Sequence, residues 1–170
     1  FFRTPLCAYL RIKFIHMKKI ACITGASSGI GRATAQSLAK EGFDLILCGR
    51  RKERLEELQA SLAVNSILLT FDVSDQPSVI KAFESLPVEW KNIDVLVNNA
   101  GNAHGMSAIQ EGDVADWDAM MASNVTGLLY VSKEVIKGMV ERKSGHIVNL
   151  SSIAGKQTYP NGNVYCASKA

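Results

Sequence analysis

Ile20-Ala21-Cys22-Ile23-Thr24-Gly25-Ala26-Ser27-Ser28-Gly29-Ile30-Gly31 is the stretch whose reading decides the fold. The apolar run IACIT reads as a buried strand, breaks at a glycine-rich turn and passes at once into a segment of helical period, 29–41. A glycine turn in that setting is a nucleotide-binding device. Gly25 permits the sharp turn, Gly29 lets backbone approach a pyrophosphate without a Cβ in the way, and Gly31 lets helix pack on strand. Ala26, Ser27, Ser28 and Ile30 share the loop, and the helix N-terminus offers its free N–H groups to phosphates. The spacing is GxxxGxG and not GxGxxG, so the loop taken alone also reads as a structural turn.

Outward from this turn, apolar runs alternate with helical segments. The runs are IACIT, DLILCG, SILLTFDV, IDVLVNN and GHIVNLSS, and the helical stretches are 29–41, 52–62, 75–86 and a long one over about 114–141. Such alternation predicts an α/β fold, a doubly wound parallel sheet of Rossmann type, whose strands are buried on both faces and whose ligands bind at the strands' carboxyl ends. Asp75 and Asp113 are candidate N-caps, and Gly42 and Gly145 fall where helices should stop. A sixth helix is only beginning at Tyr165 when the sequence ends at Ala170. Residues 17–170 are therefore expected to be an incomplete domain that needs at least one further strand.

The 170 residues suffice for one core, and 47% hydrophobic with 21% charged residues argues against disorder. Net charge is +3, and Arg3, Arg11, Lys13, Lys18 and Lys19 crowd the start, leaving no basic stripe for nucleic acid. No apolar run is long enough to span a bilayer. Residues 1–16 are basic and free of acids, as a presequence would be; with Met17 a natural first residue, upstream sequence outside the fold is the favoured reading. Cys7, Cys22, Cys48 and Cys166 form no CxxC pair, and His16, His104 and His146 are scattered, so no metal spacing exists. A reducing, cytoplasmic setting fits.

After the second run comes Gly49-Arg50-Arg51, where folds that bind NAD place an acid on the ribose hydroxyls. Here the acid is missing, and two guanidiniums can hold a 2′-phosphate by forked hydrogen bonds, which favours NADP. The alternative is that both arginines merely open the charge-rich helix RRKERLEEL. Asp72-Val73 and Asn98-Asn99-Ala100-Gly101 end the third and fourth runs at the edge where an adenosine would lie. Asp72 can accept from an adenine amino group, whereas Asn98 reads as a turn residue closing the strand.

Tyr165-Cys166-Ala167-Ser168-Lys169 sets a phenol beside an ammonium, because positions i and i+4 share a helix face. A free phenol ionises near pH ~10, so a base working near neutrality needs about 4 kcal/mol of anion stabilisation, which neighbouring positive charge supplies. Ser151 and Ser152 close the fifth run and can reach the same carbonyl oxygen. Asn124 is a polar interruption of a helical segment, readable only as a buried hydrogen-bonding asparagine. Lys156 is the one cation between Ser152 and Tyr165, and a solvated loop lysine is its plainer reading.

The motifs TGASSGIG, DV, NNAG, SNVTG, LSS and YCASK, in this order, resemble the short-chain dehydrogenase/reductase superfamily over 17–170. GxxxGxG is that family's own glycine spacing. The resemblance implies Tyr165 as acid/base, Lys169 on the nicotinamide ribose and as modulator of the tyrosine, Ser152 (chosen over Ser151 by family spacing) orienting substrate, and Asn124 holding a relay water. LPVEWKNIDVLVNNAG, GMVERKSGHIVNLSS and PNGNVYCASKA look like the NADP-dependent 3-hydroxy acid, or serine/allo-threonine, dehydrogenases. That likeness implies hydride transfer between NADP(H) and C3 of a short hydroxy acid, and a homo-oligomer built on the 114–141 helix and the Tyr165 helix. Two rivals stand beside it. A methyltransferase would normally carry an acid after the second strand, and a non-catalytic NADPH-binding module would have no use for Ser152, Tyr165 and Lys169.

Overall fold

The computed structural model describes residues 18–170, and the expectation for 1–16 lies outside the described residues. Five parallel strands, β1 (Ile20–Thr24), β2 (Asp44–Gly49), β3 (Ser66–Thr70), β4 (Ile93–Asn98) and β5 (His146–Asn149), form one sheet in the order β3-β2-β1-β4-β5. The chain winds outward from β1 to β3, then crosses back to lay β4 on the other side of β1. Two neighbouring strands whose connections leave in opposite directions open a crevice at their carboxyl ends. Here that crevice lies between Thr24 and Asn98.

Alternation along the strands sorts the apolar residues onto two faces. Ala21, Ile23, Leu45, Leu47 and Val97 pack with Ala35, Leu55 and Leu58 of α1 (Gly29–Lys40) and α2 (Lys52–Ala60). Cys22, Ile46, Cys48 and Leu96 face Val79 and Phe83 of α3 (Gln76–Glu84) and Val131, Val135 and Met139 of α5 (Gly127–Arg142). Leu45 through Cys48 are wholly buried, as expected of a central strand covered on both sides. Strand β5 departs from that expectation. Among the described residues His146, Val148 and Asn149 are exposed and only Ile147 reaches a core cluster.

The long helix over 114–141 is real but not uniform. It runs as α4 (Val114–Met121), a π-helical turn over Ala122–Thr126, and α5. Asp113 caps α4, accepting from the Ala115 N–H at 2.9 Å, whereas Asp75 occupies the cap position of α3 without a side-chain bond. Gly42, at φ +84°, ends α1 with Phe43 N–H donating to Leu38 O and Gly42 N–H to Ala39 O, the Schellman pattern. In α5 the same pattern centres on Lys143, at φ 52°, so the helix stops two residues before the expected Gly145. The final helix, α6, spans Asn163–Lys169.

Candidate active site

The glycine turn is braced from two directions. The Ala26 N–H donates to Cys48 O at 3.0 Å, tying the turn to the end of β2. From β4, Asn99 Nδ2 donates to Thr24 O at 2.8 Å and to Gly25 O at 3.3 Å. Thr24 Oγ1 accepts from the N–H groups of Asn99 (3.0 Å) and Ala100 (2.9 Å). A Cβ on Gly31 would run into Gly25 O and lie 2.5 Å from Asn99 Nδ2, so this glycine lets α1 sit directly on its own turn. Gly29 differs: at φ +53° it has nothing within 4 Å of a notional Cβ, and the surface above the helix start stays open. Ser28, at the N-cap, makes no side-chain cap bond, so no side chain covers the first-turn N–H donors.

These elements form a cleft of about 650 Å³ at the carboxyl edge of the sheet. Gly25, Ser27, Ser28 and Ile30 line it, with Gly49, Arg50, Arg51, Asp72, Val73, Asn99, Ala100 and Gly101, and with Ser152, Tyr165 and Lys169. Ala26, Gly29, Gly31 and Asn124 are not on its wall. Ala26 is fully buried in the core, Gly29 is exposed at the start of α1, Gly31 is buried under the turn, and Asn124 is 5% exposed behind the cleft. Lys156 is exposed and lies away from it. Ser151, weighed beside Ser152 in the sequence, also lines the cleft, as do Phe71, Asn102, Ser123 and Leu150, which were not singled out there.

The two arginines part company. Arg51 Nη2 donates to Ser27 Oγ (3.0 Å) and Ser28 Oγ (2.9 Å), laying its guanidinium against the glycine turn. Arg50 Nη1 pairs with Asp72 Oδ2 at 3.2 Å. Partial burial pushes the Asp72 carboxyl up, but the Ser74 N–H and hydroxyl on Oδ1 and the Arg50 guanidinium outweigh it and hold the group below its ordinary value. A Cβ on Gly49 would meet Leu55 at 3.6 Å and Ser27 at 3.7 Å, ordinary contacts, so packing does not forbid a side chain there. Next to it, burial, and then the neighbouring Cys22 thiol at 3.6 Å, push the Cys48 thiol up, leaving Cys48 a neutral core residue.

On the opposite wall, Ser152 half-buries its hydroxyl, which accepts from the Ala154 N–H at 3.2 Å and caps a 3₁₀ turn over Ile153–Gly155. The Ser151 hydroxyl donates to Lys169 O. Lys169 Nζ donates to Leu150 O at 3.1 Å, anchoring the ammonium at the end of β5. Tyr165 lines both the main cleft and a smaller one bordered by His104, Trp117 and Tyr159. Asn124 Oδ1 accepts from the Asn102 N–H (2.8 Å), and its Nδ2 donates to Asn102 O and Ser168 Oγ, both at 2.9 Å. Asn98 keeps the structural part expected of it, donating to Ser132 and Asn149 beneath the cleft. Thr24 escaped the sequence reading, although a hydroxyl at the end of an apolar run was its signal.

Among the described residues no cluster of His, Cys, Asp and Glu could hold a metal, and no helix is long and apolar enough to cross a membrane. The chain is 44% identical over 151 residues to the NADP-dependent 3-hydroxy acid dehydrogenase YdfG of Escherichia coli K12, covering 89% of this chain and 61% of that protein. It is 45% identical over 148 residues to a serine 3-dehydrogenase of Rhizobium radiobacter, covering 87% and 59%. The closed form of a serine dehydrogenase complexed with NADP+ superposes with a TM-score of 0.85 at 43% identity, over 88% of this chain and 60% of that one. The chain thus spans about three-fifths of the length of the relatives it matches. With a five-stranded doubly wound sheet, and with the model of the family described as short chain dehydrogenase matching residues 19–170, this chain belongs to the short chain dehydrogenase family.

Proposed function

We propose that this chain is the greater part of an NADP-dependent oxidoreductase that interconverts the C3 hydroxyl and carbonyl of a short 3-hydroxy acid such as serine or allo-threonine. The observation that carries the reading is a single cleft lined both by the glycine turn with its arginines and by Ser152, Tyr165 and Lys169. The residues present suit the dinucleotide. Uncovered first-turn N–H groups and the open surface above Gly29 suit a pyrophosphate. Arg51, pinned between Ser27 and Ser28, suits a 2′-phosphate, as does Arg50 beside it. Because packing would tolerate a side chain at 49, the missing carboxylate there is a matter of charge and not of space. When bound, NADP(H) supplies the hydride acceptor or donor.

The chain's own part is to bind, orient and move a proton. Tyr165 takes the proton from the hydroxyl during oxidation and returns it to the carbonyl oxygen during reduction. Lys169, one helical turn on, favours the phenolate by its charge. Ser152 donates to the same oxygen and aligns it. The relay water assigned to Asn124 rests on the family resemblance, since its amide is committed to Asn102 and Ser168. We further place the protein in the cytoplasm as a homo-oligomer. Support comes from the buried free thiols Cys22, Cys48 and Cys166 and from Leu129, Ile136 and Val140, exposed along one stripe of α5.

The test uses the full-length protein, following NADP reduction with serine, allo-threonine and other short 3-hydroxy acids. Tyr165→Phe is expected to lower kcat by at least about 10²-fold while NADPH still binds. Unaltered turnover in that variant would overturn the mechanism. Lys156→Ala is expected to leave the KM for serine unchanged.

A further inference from the structure

We propose that Ser168 is a positioning residue for the reaction, carrying the hold of the π-helical turn onto the helix that bears Tyr165 and Lys169. This rests on the function proposed above. The starting point is Asn124, whose amide orientation is forced by its partners. The Asn102 N–H can only donate and so fixes Oδ1, while Asn102 O can only accept and takes one Nδ2 hydrogen. The second Nδ2 hydrogen needs an acceptor, and Ser168 Oγ provides it at 2.9 Å. That leaves the Ser168 proton for Tyr165 O at 2.8 Å. Every hydrogen in the relay has one place to go, from Asn102 through Asn124 and Ser168 to the backbone of Tyr165.

This relay ties the catalytic helix to the rest of the fold. Helix α6 opens at Gly162 without a side-chain cap. A second tie, Asn163 Nδ2 to Ser107 O at 3.2 Å, secures its first turn, and the Asn124–Ser168 bond holds the turn that carries Lys169. Asn124 reaches Ser168 from the π turn, whose extra residue rotates everything after it by about 100°. Gly101 leaves the room for this approach. A Cβ there would lie 2.9 Å from Asn124 Oδ1 and 3.2 Å from Lys169 Nζ. Ser152 stands on a different element, so a small tilt of α6 changes where the phenol and ammonium sit relative to the serine hydroxyl. It leaves the glycine turn and Arg51 alone.

The experiment is a double-mutant cycle in the full-length protein. Ser168→Ala is expected to lower kcat about tenfold, because small misplacements of a reacting group cost rate. KM and the Kd for NADPH should stay within about twofold of wild type, a split that mere loss of stability would not produce. Asn124→Ala should do the same, and the double variant should be no slower than the slower single, since both break one relay. Amide hydrogen exchange over 163–169 should quicken in Ser168→Ala with no substrate present. Unchanged kcat, unchanged exchange, or losses that multiply in the double variant would each overturn the proposal. If Asn124→Ala does not fold, Ser168→Ala decides alone. A wild-type protein that oxidises no 3-hydroxy acid refutes the proposed function instead, and the exchange measurement still judges the tie.

Discussion

Thr24→Val tests whether one buried hydroxyl holds the loop after β4 against the glycine turn. The substitution keeps the β-branched shape at a position 2% exposed and removes a single polar atom, Oγ1. That atom accepts from two backbone N–H groups, Asn99 at 3.0 Å and Ala100 at 2.9 Å. Asn99 N–H also reaches Val97 O at 3.1 Å, so it keeps a partner when the hydroxyl is gone. Ala100 N–H, part-buried at the cleft wall, has no such second bond among the described residues, and an orphaned donor costs about 1–3 kcal/mol, the upper part of that range applying to full burial. The weak donation to Val97 O, at 3.4 Å, adds little. We therefore expect Thr24→Val to destabilise by about 2 kcal/mol. Thr24→Ser, which keeps the hydroxyl and loses one methyl, should cost about 1 kcal/mol. The assay is urea unfolding of the full-length protein at one fixed concentration, with NADPH titrated in parallel. Because Asn99, Ala100 and Gly101 line the cleft, Val should weaken NADPH binding and Ser should not. The reasoning fails if Val is as stable as Ser, or if the two bind NADPH equally.

Arg51→Ala should raise the Kd for NADPH by about 10- to 100-fold, the range of a charge-assisted hydrogen bond, and leave NADH binding nearly unchanged; equal effects on the two cofactors would remove Arg51 from 2′-phosphate recognition. Gly49→Asp should fold as well as wild type, since its Cβ meets nothing closer than 3.6 Å, yet turn the preference from NADPH toward NADH. Thermal unfolding and fluorescence titration separate the two claims. Asp72, held below the ordinary carboxylate value by Ser74 and Arg50 against its partial burial, contributes stability present above the unfolded-state pKa of about 3.9. That contribution is lost as pH falls through its folded-state value. Asp72→Asn should therefore flatten the acid side of the stability profile and leave its shape nearer neutrality alone, which thermal midpoints from pH 3 to 7 would read.

Much of the fold was open to reading from local pattern. A run such as DLILCG, alternating with helical segments, reads as a strand buried on both faces of a covered parallel sheet, and the glycine turn after IACIT marks where its ligand cleft opens. Tyr165 and Lys169 could be paired from helical spacing alone. Helix ends were less legible, because a left-handed cap at Lys143 does the work expected of Gly145. A lysine there sends no compositional signal.

The sequence by itself determined the chemistry on offer: the glycines, two arginines where an acid usually stands, a serine, and a tyrosine one helical turn from a lysine. Those are properties of residue type and short spacing, which sterics, charge and helical period fix within a few positions. Only the tertiary structure decided how the groups are used. It turned Arg51 onto the glycine turn and Arg50 onto Asp72, residues 20 or more positions away. It made Thr24 the brace of the loop after β4 and bound Asn124 to Ser168 across 44 residues. Such bonds depend on where strand order and a π turn bring distant backbone together, and no local pattern along the chain carries that information.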